Sequence, residues 1–277
     1  MVEKQIVIAN QLVNYLTNEQ DDPAGPTVVF LHGWRSESGV WKQAMADLGD
    51  SYQLFAVDLP GFGKSEKPKH TFNLHDYALI VRGFIEKIVN PVTSLPRGVP
   101  RGTLPSPGES NKVAVALVGH SFGGRVAIKL ASTEPELIKK LVLVDSAGFN
   151  FHNKNKREVF RFFSKIARPF FKLPGLKNLR PGIYKAIGAE DYTVTPELKD
   201  TFVKVVNEDL TALLRFIRQE TLIVWGGKDE DTPMMLAMWL KQNIRHSHLI
   251  VFNEAGHFSF LDEREKFVES LRDFLKG

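Results

Sequence analysis

The chain contains no cysteine, which excludes a disulfide framework and a thiolate metal site. Long apolar runs are missing too: no stretch approaches the roughly 20 residues of a membrane-spanning helix. The opening Met1-Val2-Glu3-Lys4-Gln5 lacks the apolar core of a signal peptide. These absences give the expectation of a cytoplasmic protein. No internal repeat is visible. Charge of one sign is scarce overall, because 36 Lys and Arg stand against 32 Asp and Glu, a net +4. What is present is 277 residues, 43% hydrophobic and 25% charged. That suits one large α/β domain with a substantial core and room for an inserted subdomain.

The chemistry-bearing stretch begins in an apolar, β-branched run at 113–118, which reads as a buried strand. It passes through Gly119-His120-Ser121-Phe122-Gly123 into an apolar segment at 124–131 that reads as a helix. Strand, tight turn and helix form the context in which G-x-S-x-G presents a nucleophilic serine. A serine on so sharp a turn is backbone-strained, so its neighbours two residues either way need to be almost free of side chain. In return the hydroxyl stands above the sheet at a helix N-terminus, where developing negative charge is favoured. Ser121 is the candidate nucleophile.

Around this turn the chain alternates. Gln5 to Ile8 and Leu12 to Leu16 suggest a hairpin about Asn10, and strands are expected at 27–31, 52–57, 141–144, 221–225 and 248–252. Helices are expected at 39–48, 73–89, 233–243 and 263–275. Alternation of this kind predicts a mostly parallel sheet covered on both faces. Two segments break the pattern. Residues 91–111 hold five prolines and three glycines and read as an exposed Pro/Gly-rich loop at the sheet end away from Ser121. Residues 149–216 are helical in character and read as a cap inserted between core segments 1–148 and 217–277.

A serine needs a base, and the base needs a carboxylate. Among eight histidines, His257 follows the last strand in a glycine-containing loop, at the carboxyl edge that it would share with Ser121. His120 points away from its neighbour and is read as structural, and His32 as bracing a loop. His246 and His248 flank the wrong strand end, and His70, His75 and His152 have no supporting context. In Trp225-Gly226-Gly227-Lys228-Asp229 the carboxylate of Asp229 lies just past the preceding strand, in the order serine, acid, histidine that the motif expects. Asp145, also at a strand end, and Asp231, in the same loop, are rivals; Glu230 points away if Asp229 points in. Two N–H donors are needed for an oxyanion, and the backbone N–H groups of Phe122 and Trp34 are the candidates. Asp58-Leu59-Pro60-Gly61-Phe62-Gly63-Lys64-Ser65 lacks the full phosphate-loop spacing.

In order and spacing, His32-Gly33, Asp58 to Gly63, the Ser121 elbow, Trp225 to Asp229 and Gly256-His257 resemble the α/β-hydrolase fold superfamily, in its cap-bearing serine hydrolase branch. The resemblance implies an eight-stranded, mostly parallel sheet, a triad of Ser121, Asp229 and His257, and no metal or organic cofactor. Family members similar to haloalkane dehalogenases and epoxide hydrolases carry aspartate at the elbow, so Ser121 leaves ester, thioester or lactone hydrolysis, carbon–carbon bond hydrolysis and acyl transfer. A carboxylic-ester hydrolase of small to medium apolar substrates is expected. The alternatives are carbon–carbon hydrolysis of ring-cleavage diketones, or a slow-turnover binding protein of the same fold. Two features depart from the family: the long insertion at 91–111, and Glu220 where a proline usually precedes the strand.

The cap is basic. Residues 151–185 carry ten Lys and Arg and one acid, Glu158. Within 156–172, Val159, Phe162, Phe163, Ile166 and Phe170 share one side of a helix, opposite Arg157, Arg161, Lys165, Arg168 and Lys172. Such a helix suits a lid packed apolar side down; it also suits weak contact with an anionic membrane surface. Nucleic acid is not an expected partner.

Overall fold

In the computed structural model, residues 1–20, 25–89, 114–148 and 196–277 are described. The loop expected at 91–111 lies outside them, as does most of the expected cap, including the basic segment.

Eight strands form one sheet: β1 (Val2–Ile8), β2 (Gln11–Thr17), β3 (Thr27–Leu31), β4 (Gln53–Val57), β5 (Val115–His120), β6 (Ile138–Val144), β7 (Glu220–Gly226) and β8 (Ser247–Phe252). Their order is β1-β2-β4-β3-β5-β6-β7-β8. Only β2 runs antiparallel to its neighbours, which is the mostly parallel sheet expected of the alternating pattern. The hairpin turns through Ala9 and Asn10, both left-handed at φ 47° and 60°. A two-residue turn of that hand matches strand twist, and asparagine tolerates it.

Because side chains alternate along a strand, the apolar runs feed two cores. Val29, Leu31, Leu117, Leu143 and Trp225 face α2 (Leu74–Phe84), α3 (Phe122–Thr133) and α5 (Met234–Asn243). Val28, Phe30, Val118, Val144 and Val224 face α1 (Lys42–Leu48) and the closing helix α7 (Arg264–Lys276). There Trp41 stacks on Phe260 at 4.1 Å between ring centroids. The segment after the expected cap contributes α4 (Lys199–Asn207), and a four-residue turn of helix, α6 (Ser259–Asp262), follows His257.

Three boundaries differ from expectation for physical reasons. The helix expected at 73–89 is α-helical only to Phe84 and continues as a π-turn through Val89. Its start is set by Asn73, whose side chain caps the His75 and Asp76 N–H groups while Asp76 caps Asn73 in return. The helix after the elbow begins at Phe122, not at Gly124, because the tight turn delivers the chain directly into it. Glu220 opens β7 and pairs with Lys140 at 3.0 Å, so the residue that replaces the family's proline joins the ladder as well as an ion pair.

Below the elbow, the buried Arg125 of α3 donates to the carbonyls of Val205 and Glu208 at the end of α4, where a cation complements the helix dipole. The Lys129–Glu208 pair at 2.9 Å reinforces the same joint. The returning segment is thereby fastened to the helix that carries Ser121.

Candidate active site

Parallel strands deliver their carboxyl ends to one edge, and β3, β5, β7 and β8 place Trp34, Ser121, Asp229 and His257 there. Ser121 has φ 49° and ψ −109°, strained for a residue with a side chain. A Cβ on Gly123 would lie 2.5 Å from the Leu31 carbonyl oxygen, and one on Gly119 would lie 2.5 Å from that of Gly123. The two glycines therefore permit the turn.

The Ser121 hydroxyl donates to His257 Nε2 at 3.0 Å, and His257 Nδ1–H donates to Asp229 Oδ2 at 2.9 Å. Burial alone would lower the His257 pKa, but the hydrogen bond and charge of Asp229 carry it above the usual histidine value. Asp229 is itself held: Oδ1 accepts the Asp231 and Thr232 N–H groups, both at 2.8 Å, and Oδ2 lies 2.5 Å from the Thr232 hydroxyl. Thr232 is held in turn by the indole N–H of Trp225, which donates to its carbonyl at 2.8 Å. Sequence reasoning missed Thr232. The available signal was the Asp-x-x-Thr spacing, in which an aspartate accepts from N–H groups two and three residues on.

The rival carboxylates make no hydrogen bond to the His257 ring among the described residues. Asp145 is buried, with Oδ1 on the Gly226 N–H at 2.7 Å and Oδ2 on Ser259; it makes no hydrogen bond to the His257 ring. Glu230 and Asp231 are exposed. Among the described residues one group has metal-ligand spacing, Asp229, Asp231 and His257. Both Asp229 oxygens and His257 Nδ1 are already committed within it.

His32 and His120 are both buried and neutral, their pKa values pushed by burial down to about 4 and about 3 respectively. His32 Nδ1–H donates to the Gly33 carbonyl at 2.7 Å, and its Nε2 accepts the Leu59 N–H at 3.0 Å. Fixing the Gly33 carbonyl on His32 turns the Trp34 N–H to the opposite side of that planar peptide. The same loop comes close to the elbow: a Cβ on Gly33 would sit 3.3 Å from Ser121 Cβ. Phe122 opens α3, so its N–H belongs to the first turn, which lacks intrahelical partners. His120 Nε2–H donates to the His257 carbonyl at 2.7 Å.

The loop after β4 underpins this arrangement. Asp58 accepts from the Ser38 N–H, the Asn14 amide and the Lys64 N–H at 2.6–2.9 Å. With that carboxylate filling the loop's N–H cradle, no phosphate would be accepted there.

These burials set a pH dependence. Unfolded His32 and His120 take up protons near pH 6.5, which the folded chain refuses until about 4 and about 3. Asp145 opposes them, since burial pushes its pKa up to about 7 and the folded chain keeps a proton that the unfolded chain loses near 3.8. Two protons against one leave the unfolded state about one proton richer, or about 1.4 kcal/mol per pH unit. His257, raised, adds stability that is complete below pH 6.5 and fades only above it. Urea unfolding is therefore expected to show about 1–2 kcal/mol less stability at about pH 5 than at about pH 6.5; a flat or rising profile toward acid would contradict neutral burial of the two histidines.

Residues 28–270 match the model of the alpha/beta hydrolase family. The chain belongs to this family. This α/β-hydrolase is 26% identical to the 2-hydroxymuconate semialdehyde hydrolase of a Pseudomonas species, over 94% of its own length and 90% of the relative's. It is 27% identical to the pimeloyl-(acyl-carrier protein) methyl ester esterase of Nitrosomonas europaea, over 88% and 93%. Among solved structures, the esterase EaEST from Exiguobacterium antarcticum superposes with a TM-score of 0.69 at 25% identity, covering 99% of both chains. The α/β-hydrolase is thus an enzyme, a hydrolase. Among its described residues no helix is long and apolar enough to cross a membrane.

Proposed function

We propose that the protein is a serine hydrolase that cleaves carboxylic esters of small to medium apolar acids through an acyl-enzyme. The observation that carries this reading is the hydrogen-bonded chain Ser121–His257–Asp229 at a strained elbow. His257 Nε2 takes the Ser121 proton as Oγ attacks the ester carbonyl. The backbone N–H groups of Phe122 and Trp34 receive the oxyanion. Asp229 steadies the imidazolium, which then protonates the departing alkoxide, leaving the acyl group on Ser121. Water, giving its proton to His257, attacks the acyl carbon; the acid departs and Ser121 regains its proton. Each step draws on side chains, backbone and water, with no metal or organic cofactor.

Apolar substrates are favoured by the walls beside this chain. Trp34, half-buried, rests on Phe62, Phe122 and Phe202, with ring centroids 4.8–5.1 Å away. Phe258, 40% exposed, adjoins His257. In this reading residues 149–216 form the cap over those walls, and the basic helix within it gives weak contact with anionic membrane surfaces. A cysteine-free chain suits the reducing cytoplasm.

The likeness to a 2-hydroxymuconate semialdehyde hydrolase supports a second reading, carbon–carbon bond hydrolysis of a diketone by the same three residues. A p-nitrophenyl ester series from two to twelve acyl carbons separates the two, with Ser121→Ala as control. The ester reading expects a rate that peaks at one chain length and vanishes in the control. No turnover of any ester, with turnover of a ring-cleavage diketone, would replace it with the second reading.

A further inference from the structure

The three loops that carry Ser121, Asp229 and His257 are all fastened to one place, the end of β6. The Ser121 N–H donates to the Val144 carbonyl at 3.0 Å, and the Ala147 N–H donates back to the Ser121 carbonyl at 3.2 Å. Asp145 Oδ1 accepts the Gly226 N–H at 2.7 Å, three residues before Asp229. Its Oδ2 accepts both the N–H and the hydroxyl of Ser259, at 3.0 and 2.6 Å, two residues after His257. Its own carbonyl oxygen lies 3.2 Å from the Thr232 hydroxyl, the group that also touches Asp229.

Asp145 makes these bonds from an unfavourable position. It has no solvent exposure, and its φ of 44° is left-handed. A buried carboxyl group and a left-handed non-glycine residue each cost stability, and the two persist together only where surrounding structure fixes them. Strand pairing does not require the side chain, because the β6–β7 register closes at Val144 opposite Val224. The carboxyl group instead adds a bridge between two loops, one bearing the acid and one bearing the base, beyond the two backbone bonds that already join them, Gly227 N–H to the Phe252 carbonyl and Lys228 N–H to the Ala255 carbonyl, both at 2.8 Å.

We propose that Asp145 is a positioning residue, whose carboxyl group refines the separation of Asp229 and His257 by binding Gly226 and Ser259 at once. It touches neither substrate nor the reacting atoms, and acts through the geometry of the Asp229–His257 hydrogen bond. The inference rests on the serine hydrolase reading above.

Asp145→Asn is the informative substitution. Asparagine keeps the size and tolerates left-handed φ, but one of its two ends is an NH2 that cannot accept from the Gly226 or Ser259 N–H. One loop thereby loses its bond to this side chain while the backbone bonds between the loops are kept. With a short p-nitrophenyl ester, kcat is expected to fall roughly tenfold to a hundredfold while KM stays within about twofold, as misplacement of a reacting group does. Ser259→Ala, which removes one of the Oδ2 donors, should lower kcat by less. The double variant should be no worse than Asp145→Asn, because both act through one connection.

Rates are normalised to the fraction of enzyme labelled by a fluorophosphonate, so loss of folded protein is not counted as loss of rate. Wild-type kcat per labelled site in Asp145→Asn, whatever its melting temperature, would reduce Asp145 to a packing role and overturn the proposal. Losses that multiply in the double variant would overturn the route through Ser259. If Asp145→Asn yields no folded protein, Ser259→Ala decides alone, and an unchanged kcat there overturns the proposal. A wild-type enzyme that neither labels nor turns over any ester would overturn the serine hydrolase reading itself, a result distinct from all of these.

Discussion

Replacing Ser121 with alanine is expected to lower kcat for ester hydrolysis by on the order of 10⁴ to 10⁶, with the fold intact. The fold should survive because the Ser121 side chain caps no helix N–H; its one hydrogen bond among the described residues runs to His257. Alanine inherits the same strained backbone, so the melting temperature should move little. His257→Ala should cost a similar factor, since an undeprotonated serine hydroxyl is a poor nucleophile. The two losses should not multiply in the double variant, because serine and base act as one unit. Steady-state rates per folded molecule, with circular dichroism as the folding control, check both. A His257→Ala enzyme within tenfold of wild type would require another base, and among the described residues His120 is the only other histidine near Ser121, with its Nε2 engaged on the His257 carbonyl.

The second large effect belongs to the carboxylate. Asp229→Asn can keep the bonds that Oδ1 accepts from the Asp231 and Thr232 N–H groups, so the loop should hold. The amide NH2 then replaces Oδ2 against His257 Nδ1, and a donor there favours the tautomer that carries its proton on Nε2. Such a histidine cannot accept the Ser121 proton, and a loss on the order of 10⁴ in kcat is expected. The acid limb of the residual activity should also move to lower pH, because Asp229 is what holds the His257 pKa up against burial. Asp145→Asn, which spares the His257 tautomer, should cost far less. The reverse ranking, with Asp229→Asn near wild type and Asp145→Asn devastated, would make Asp145 the acid.

Much of this was legible in the sequence because the signals are local. The buried parts of β3, β5, β6 and β7 read as apolar runs, Val28–Leu31, Val115–Val118, Leu141–Val144 and Leu222–Trp225, and glycines flank the one serine whose neighbours cannot carry a Cβ. The placing of Asp229 and His257 after successive strands follows from chain direction alone, since parallel strands end on one side. What the sequence withheld depends on three-dimensional closure. Nothing local distinguishes Asp145 as a hydrogen-bond partner of Gly226 and Ser259 from Asp145 as a histidine partner, because either requires only a carboxylate at the end of β6. The choice is made by residues 81 and 114 positions away in the chain. The π-turn at Ile85–Val89 is likewise invisible to periodicity, as Ile85 and Ile88 fit an α-helical face equally well.

The central claim is that Ser121 is the nucleophile, activated by His257. The most direct test is covalent: incubate the protein with a fluorophosphonate, digest it, and locate the adduct by tandem mass spectrometry. A single phosphonylated residue, Ser121, is expected in the wild type, with labelling absent in Ser121→Ala and strongly slowed in His257→Ala. An adduct on a different residue, or wild-type labelling that persists in Ser121→Ala, would contradict the account.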